Sequence, residues 1–507
     1  VDARDKPAHD DRDIEVVMAI VSNPDLSTDP DEVAALLGDF AAQAPGALDA
    51  RTTRAAKAAL IDSLAVAMGA LTHPAAQAAR RHAYRFATSD GCVIWGSSRR
   101  AAPELAALAN GVLLRCYDYN DFFVGRRNSG HPSDMVAAVV AAAEWADVDG
   151  AKLLSALALG YEVVAAAFDA FSTAPGGWDY TNLVALGATC AVARVLGLDA
   201  IQAREALAMT VVPHFASDEI ESGELNRRGD LTMWKRFNGS DAARNALQAC
   251  LLAQVGVEGA VRPFVGKQGF IQKLANKSED AIPVLKERLA AKRPLTRIAE
   301  TNMKRWPVGS LAQSAIQAAL AARAQIKDIA RIRQVRVFAE EGAYDHLVTI
   351  RQAPYAPISR ETADHSLPYI VATAVLDGVV TTESFAPARV LDPARQRFVA
   401  DKVKAAPDPA LGTIAGGKHK RHAMGYLGRV EIEMDDGGVI RGDARPFPGH
   451  PTNPFSDDDL AGKLRENMEP FAGPERTARL ARCLDGVETL ESVRELTALL
   501  ALPDASG

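Results

Sequence analysis

Several features that would narrow the chemistry of this chain are scarce or missing. Cysteine is scarce: Cys92, Cys116, Cys190, Cys250 and Cys483 are scattered over 507 residues, and none forms a Cys-x-x-Cys pair. That pattern excludes a disulfide framework and fits a reducing cytoplasm, the location expected here. It also disfavours an iron–sulfur centre, which needs grouped thiolates. Aromatic residues are only 6% of the chain while alanine is abundant, which favours close-packed helices over a sheet sandwich. There is no excess of positive charge, and a formal net charge of −7 argues against nucleic acid as the main partner. No apolar run approaches the roughly 18–20 residues that cross a bilayer; Met135–Ala143 stops at Glu144. No membrane partner is therefore expected. The opening residues, Val1-Asp-Ala-Arg-Asp-Lys-Pro, are charged and carry no signal-peptide apolar region. Residues 1–30 are expected to form a mobile tail, and a start without Met points to a trimmed or processed end. His-Glu-x-x-His, a P-loop, Gly-x-Ser-x-Gly and a compact Cys/His cluster are all absent. A site with no cofactor and no metal is the expectation.

Hydrophobic residues make up 48% of the chain, enough for a sizeable core, and its length suits roughly two to four domains of about 100–200 residues. Residues 31–275 read as successive helices. Helical spacing of apolar residues runs through 53–71, 103–116, 133–146, 150–171, 183–196, 203–209 and 240–255. Residues 276–447 differ in texture. Ile332–Phe338 and Tyr426–Met434 alternate apolar and polar residues, and Asp435-Asp436-Gly437-Gly438 then turns into Val439-Ile440-Arg441, a hairpin signal. Helical stretches at 311–322 and 366–376 lie between, so this part reads as α+β. Residues 448–507 return to helix and are expected to pack back on the first part. The fold class is mainly α.

The densest chemistry lies in residues 110–135. An apolar helix runs into two carboxylates, Asp118 and Asp121, then into a loop with Arg126 and Arg127, then into His131-Pro-Ser-Asp134 where a new helix begins. Ser133 and Asp134 suit a helix start. Acids, cations and a histidine gathered at the mouth of a helical hairpin suit moving a proton on a polyanionic substrate. Either Asp118 or Asp121 serves as base or acid if its surroundings bring its pKa toward neutrality. His131, at a helix N-terminus, is placed to stay neutral and accept a proton. Arg126 and Arg127 are candidate substrate clamps.

This segment resembles the MmgE/PrpD family, which includes 2-methylcitrate dehydratase, cis-aconitate decarboxylase and iminodisuccinate epimerase. The family pattern, approximately N-G-x-x-x-R-x-x-D-[FY]-N-D followed by G-H-P-S-D, appears as Asn110, Gly111, Arg115, Asp118, Tyr119, Asn120, Asp121, Gly130, His131, Pro132, Ser133 and Asp134. Asn120 and Asp134 look more like the methylcitrate dehydratase branch than the decarboxylase branch. The resemblance covers about residues 35–475. It implies a large all-α domain, an inserted smaller α+β lid, a homodimer, and active-site roles for Asp118 and His131. Thr232–Gly239 resembles the family's K-R-x-H-x-G segment, with shorter spacing and Asn238 in the His-like place, and implies that Lys235 faces substrate. Lys304-Arg305-Trp306-Pro307 resembles its K-R-F-P segment, two cations able to clamp a carboxylate. Glu361–Tyr369, containing Asp364 and His365, resembles a segment whose final tyrosine approaches the site, so Tyr369 is a candidate proton donor. Two histidines seen elsewhere in the family are missing: Gly309 follows the Pro307 motif, and Trp178-Asp179-Tyr180-Thr181 replaces a histidine-bearing segment. Their loss disfavours decarboxylation. His214 and His450 are further polar points with no assigned role.

Together these readings imply a cofactor-independent hydro-lyase acting on a small hydroxylated di- or tricarboxylic acid. Asp118 or His131 removes a proton beside a carboxylate, and Tyr369 or His131 assists the leaving hydroxyl. Lys235, Lys304 and Arg305 hold carboxylates. The same layout suits an epimerase or a decarboxylase of a similar acid, and a non-catalytic carboxylate-binding protein is the alternative from another class.

Overall fold

A computed structural model describes residues 31–220, 231–274, 280–290, 293–415, 418–421 and 427–503. The expected N-terminal tail and Tyr426, the first residue of an expected strand, lie outside these residues. Among the described residues, nine helices carry most of the first part: α1 (Glu32–Gln43), α2 (Ala50–Gly69), α3 (Pro74–Tyr84), α4 (Pro103–Arg115), α5 (Val136–Ala146), α6 (Gly150–Ala170), α7 (Thr181–Leu196), α8 (Ala200–Val211) and α9 (Asn238–Gln254). Their starts follow local chemistry. Asp49, Asp149 and Asp199 each accept a backbone N–H in the first turn of α2, α6 and α8, and Asp199 and Gln202 form a reciprocal capping box. Alanine-rich faces let these helices approach closely, and nearly every residue of α5, α6 and α7 is buried.

α6 corrects the expectation that no membrane-length apolar segment exists. It is 21 residues long and apolar enough to span a bilayer, yet its apolar stretch is wholly buried inside the protein. It is a core helix, apolar all round because neighbours surround it. The helical part is also not purely α. β1 (Ala87–Val93) pairs with β2 (Arg100–Ala101), and β3 (Phe123–Val124) with β4 (Ser129–Gly130), each antiparallel. The second ribbon lies inside the motif segment.

The apolar residues form two cores. The first runs from Val33 to Met303 and is completed by residues 455–502, so the C-terminal helices Asp457–Asp485 and Arg494–Leu500 pack on it. It extends past the boundary expected near 275, because the helix Ala281–Arg288 buries Ala281, Val284 and Leu285 there. The second core spans Trp306–Phe447 together with Phe122. Its sheet has the order β10-β9-β5-β6, built from β5 (Ile332–Ala339), β6 (Val403–Pro407), β9 (Gly428–Met434) and β10 (Val439–Gly442). β5 and β6 are parallel, and β9–β10 is the hairpin that the Gly437-Gly438 turn predicts. β7 (Gly412–Ala415) and β8 (Lys418–Arg421) form a separate ribbon. β5 and β9 alternate buried and half-buried residues, as a sheet covered on one face requires. The helices Gln313–Arg323 and Leu367–Asp377 cover that face. Phe122 leaves the motif loop to stack on Phe447, 6.1 Å between centroids, and thereby ties the loop to the second core.

Candidate active site

The motif loop begins where α4 ends. Arg115 is the last residue of α4 and is buried, with its guanidinium turned back on the loop. Asp118 then adopts a left-handed conformation, φ +48°, unusual for a residue with a side chain. That turn aims its carboxylate inward. Arg115 Nη1 donates to Asp118 Oδ1 at 3.0 Å and to Asn120 Oδ1 at 3.2 Å. Lys304 Nζ donates to the same Asp118 oxygen at 2.6 Å and to the Asp118 backbone carbonyl at 2.7 Å. His365 Nε2 stands 2.9 Å from Asp118 Oδ2, and His131 Nε2 3.7 Å from Oδ1. Burial alone would raise the Asp118 pKa, but Lys304, Arg115 and His365 outweigh it and hold the carboxyl well below the usual range. Asp118 is therefore a fixed anion that orients and balances cations, and a poor base.

His131 has the opposite character. Its Nδ1 lies 2.5 Å from the Asp121 backbone carbonyl, which only accepts, so Nδ1 carries the proton and Nε2 presents a lone pair. Burial, then the Arg115 and Lys304 charges, keep the ring from protonating and push its pKa well below that of a free imidazole. Close backbone approach sets this position: a Cβ on Gly130 would stand 2.2 Å from the Tyr180 ring.

Ser133 and Asp134 do not cap the following helix, contrary to expectation. Residues Pro132–Met135 form a 3-10 turn with no side-chain cap. Both side chains bind the motif loop instead. Asn120 Nδ2 donates to Ser133 Oγ at 2.9 Å and to Asp134 Oδ1 at 3.2 Å, and Tyr180 OH donates to Asp134 Oδ2 at 2.8 Å. Gly239, in the first turn of α9, lets that helix close on Asp134, since a Cβ would lie 2.2 Å from Oδ2. Asp121 accepts from Tyr161 OH at 2.7 Å and from Ser133 N at 3.1 Å. Burial raises both carboxyls to about 6. Asp121 does not line the cavity; it supports the loop.

Lys235 sits in the short turn Met233–Arg236 and is almost fully buried. Its Nζ is 3.0 Å from His365 Nε2. His365 Nδ1 in turn bonds Asp364 Oδ1 at 2.5 Å. Ser366 explains this placement. It caps the helix Leu367–Asp377 by accepting the Tyr369 N–H at 3.1 Å, so His365 lies just outside that helix and Tyr369 lies in its first turn. Tyr369 is accordingly wholly buried in the second core, and its OH donates to the Ser384 carbonyl at 3.1 Å. It cannot reach a substrate, and the proton-donor role expected of it is withdrawn.

Asp118, His131, Lys235, His365, Arg115 and Arg127 line one cleft of about 540 Å³, together with Tyr180, Gly309, His346 and Leu347. The remaining expected clamps divide. Lys304 is buried directly behind Asp118, and burial pulls its ammonium down to about 8 against the pull of Asp118. Arg127 lines the cleft but also pairs with Asp280. Arg126 does not line it; its backbone N–H is held by Asp169 at 2.9 Å. Arg305 points to the surface, 36% exposed, toward Glu466 at 3.4 Å. Asp179, the residue in the histidine-bearing segment, is turned away and accepts the Thr181 N–H at 2.7 Å. His214 lines a different cavity, and His450 bonds Thr452.

Three contributors carried no role in the sequence reading. Arg115 and His365 lie inside segments that mark the site, but their roles depend on helix ends. Lys463 comes from the C-terminal helix. Its Nζ donates to Asp62 Oδ1 at 2.6 Å, to the Lys304 carbonyl at 2.8 Å and to the Tyr119 carbonyl at 3.3 Å. It joins α2, the motif loop and the Lys304 segment. Among the described residues, no group of three or more His, Cys, Asp or Glu side chains is placed to hold a metal ion.

Profiles of two domains match the sequence, the MmgE/PrpD N-terminal domain over residues 36–282 and the MmgE/PrpD C-terminal domain over residues 306–486. The chain belongs to the MmgE/PrpD family. The gap between the two matches contains Lys304, the cation that bridges to Asp118. Relatives within reach of this MmgE/PrpD member include cis-aconitate decarboxylase of Homo sapiens, 24% identical over 475 residues, 90% of this chain and 92% of the relative. The 2-methylcitrate dehydratase of Salmonella typhimurium is 24% identical over 399 residues, 75% of this chain and 77% of the relative. That of Cupriavidus necator is 23% identical over 452 residues, 85% and 89%.

Proposed function

We propose that the protein is a cofactor-independent hydro-lyase that removes water from a citrate-like hydroxy-polycarboxylic acid. The observation that carries this reading is the neutral His131, its Nε2 lone pair facing a cleft lined with cations. His131 Nε2 takes the proton from the carbon beside a carboxylate. The imidazolium that forms lies 3.7 Å from the ionised Asp118, which stabilises it. Arg115 and Lys304 favour the enolate-like charge that builds on the substrate. The C–O bond of the neighbouring hydroxyl breaks, and the leaving oxygen takes a proton from the Lys235 ammonium and departs as water. The His131 imidazolium then releases its proton to solvent and Lys235 regains one from solvent, with His365, 3.0 Å from Lys235 Nζ and 2.9 Å from Asp118 Oδ2, placed to relay it. Tyr369 has no part in this scheme.

A decarboxylase is the second reading, favoured by the alignment with the human cis-aconitate decarboxylase along 90% of this chain. Gly309 stands where decarboxylase-like members of the family carry a histidine, and its presence favours dehydration. The test is a panel of citrate, 2-methylcitrate, isocitrate and cis-aconitate, with enoate absorbance and carbon dioxide release followed together. Enoate from a hydroxy acid without carbon dioxide is expected. Carbon dioxide from cis-aconitate, with no enoate from any hydroxy acid, replaces the proposal by the second reading. Silence with every acid overturns both.

A further inference from the structure

Behind the site lies a buried ion pair that the reaction above does not use. Lys463, on the C-terminal helix Asp457–Asp485, and Asp62, on α2, are both buried and stand 2.6 Å apart. Gly69 lets that helix lie close on α2, since a Cβ there would come within 2.3 Å of Asn467 Oδ1. Neither Lys463 nor Asp62 lines the cleft. Such a pair is a poor device for stability alone. Taking two charges out of water costs much of what their attraction returns, and apolar side chains of similar volume often do as well or better. What this pair supplies is direction. With one bond to Asp62, the Lys463 ammonium has protons left for the Lys304 carbonyl at 2.8 Å and the Tyr119 carbonyl at 3.3 Å. Tyr119 directly follows Asp118, so Lys463 grips the backbone at both ends of the Lys304–Asp118 bridge. Its Nζ also stands 3.8 Å from the centroid of the Tyr119 ring, whose OH donates to the Arg305 carbonyl at 2.9 Å. Both ends need holding. A left-handed φ of +48° at Asp118 persists only where the surroundings over-determine it. Lys304 lies outside any helix or strand, so no regular backbone fixes its direction.

We propose that Lys463 and Asp62 are positioning residues for the reaction: Asp62 aims the Lys463 ammonium at the Tyr119 and Lys304 carbonyls, and that grip holds Lys304 on Asp118. This rests on the hydro-lyase reading for the step whose rate is measured. The test is the double variant Asp62→Leu/Lys463→Met, which exchanges the pair for apolar side chains of similar volume. Its melting temperature should stay close to that of the unaltered protein, so a role in stability alone predicts normal turnover. Instead kcat is expected to fall about 10²-fold, the cost of misplacing a group by an ångström. KM should change little, because no side chain that lines the cleft is removed. Asp62→Asn keeps the shape and an acceptor while removing the charge, and should lower kcat about tenfold, as the loss of a charged hydrogen bond does. Normal kcat in Asp62→Asn, or in a folded double variant, overturns the proposal. Crystal structures give a readout that needs no substrate. In the double variant Lys304 Nζ should move from 2.6 Å to beyond about 4 Å, the limit of an ion pair, from Asp118 Oδ1. A bridge that stays closed there overturns the proposal whatever the kinetics. If no acid turns over even with the unaltered protein, the hydro-lyase reading falls, and an opened bridge still upholds the positioning role.

Discussion

The two sides of the cleft are built in different ways. The motif side is one continuous stretch, residues 115–134, in which the buried residues bond one another within a short span of sequence. The facing side is assembled from distant points: Gly309 and Ser310, the π-helical turn Asp345–Thr349, and His365 at the mouth of a helix. Local connectivity makes the first side rigid and charged. The second is apolar apart from its histidines and a serine, and it belongs to a different core. Under the proposed reading, the proton chemistry falls to the motif side, with Lys235 and His365 completing it, and the facing side closes the cleft.

The sharpest way to break that comparison is to alter the motif side. His131→Gln is expected to lower turnover by about 10²–10⁴-fold, the range for a general base. Asp118→Asn should do the same, and should also lower the melting temperature, because it leaves Lys304 and Arg115 without their shared anion. Turnover near normal in His131→Gln, with circular dichroism showing a folded protein, removes His131 as the base.

Next in size is the linking pair. His365→Gln and Lys235→Ala are each expected to cost about 10²-fold in kcat, the low end of acid–base effects. Lys235→Ala should also raise KM, because it removes a cation from the cleft. If His365→Gln changes only KM, the ring binds substrate and returns no proton.

A pH profile sharpens the charge assignment. Burial and the Arg115 and Lys304 charges keep His131 in its basic form, so the acid limb of kcat/KM should lie below the ordinary imidazole range near 6.5. Lys304 holds its proton only up to about 8, and above that the cation behind Asp118 is lost. kcat/KM should therefore fall as pH rises past about 8. Lys304→Arg, always charged, should move that limb upward. An unchanged limb assigns it to another group.

The smallest effects should come from residues whose side chains point away from the cleft. Tyr369→Phe removes a bond to the Ser384 carbonyl, costing about 1 kcal/mol of stability, and should leave kcat within about twofold. Arg305→Ala removes a partly exposed ion pair with Glu466, worth about 0–1 kcal/mol, and a contact with Tyr119, and should leave kcat within about twofold. A hundredfold loss of kcat in either variant would bring those residues back into the reaction.

Much of this was legible in the chain. The helical periodicity of α2, α4, α6 and α7 and the hairpin after Asp435-Asp436 are local patterns, and they appear where the spacing places them. Asp118, His131 and Lys235 lie in motif segments and reach one cleft. Tyr369 misled because a motif names a residue without its direction: the Ser366 cap sets the rotation of the following helix, sending Tyr369 into the core and leaving His365 at the cleft. Arg305 misled for a similar reason, since adjacent residues point apart and only Lys304 turns inward.

By itself the sequence determined the mainly helical class, the family and the residues of the motif side, because periodicity, capping and a dense motif act within a few turns of chain. Only the tertiary structure decided which group stays neutral and which is a fixed anion. Those properties depend on burial and on charges from Lys304 and His365, more than 170 positions away along the chain. The same holds for Lys463, whose bonds to Asp62 and to the Lys304 carbonyl exist only because the C-terminal helix returns to α2. A pKa follows the field at a point in space, and a sequence orders residues along a line.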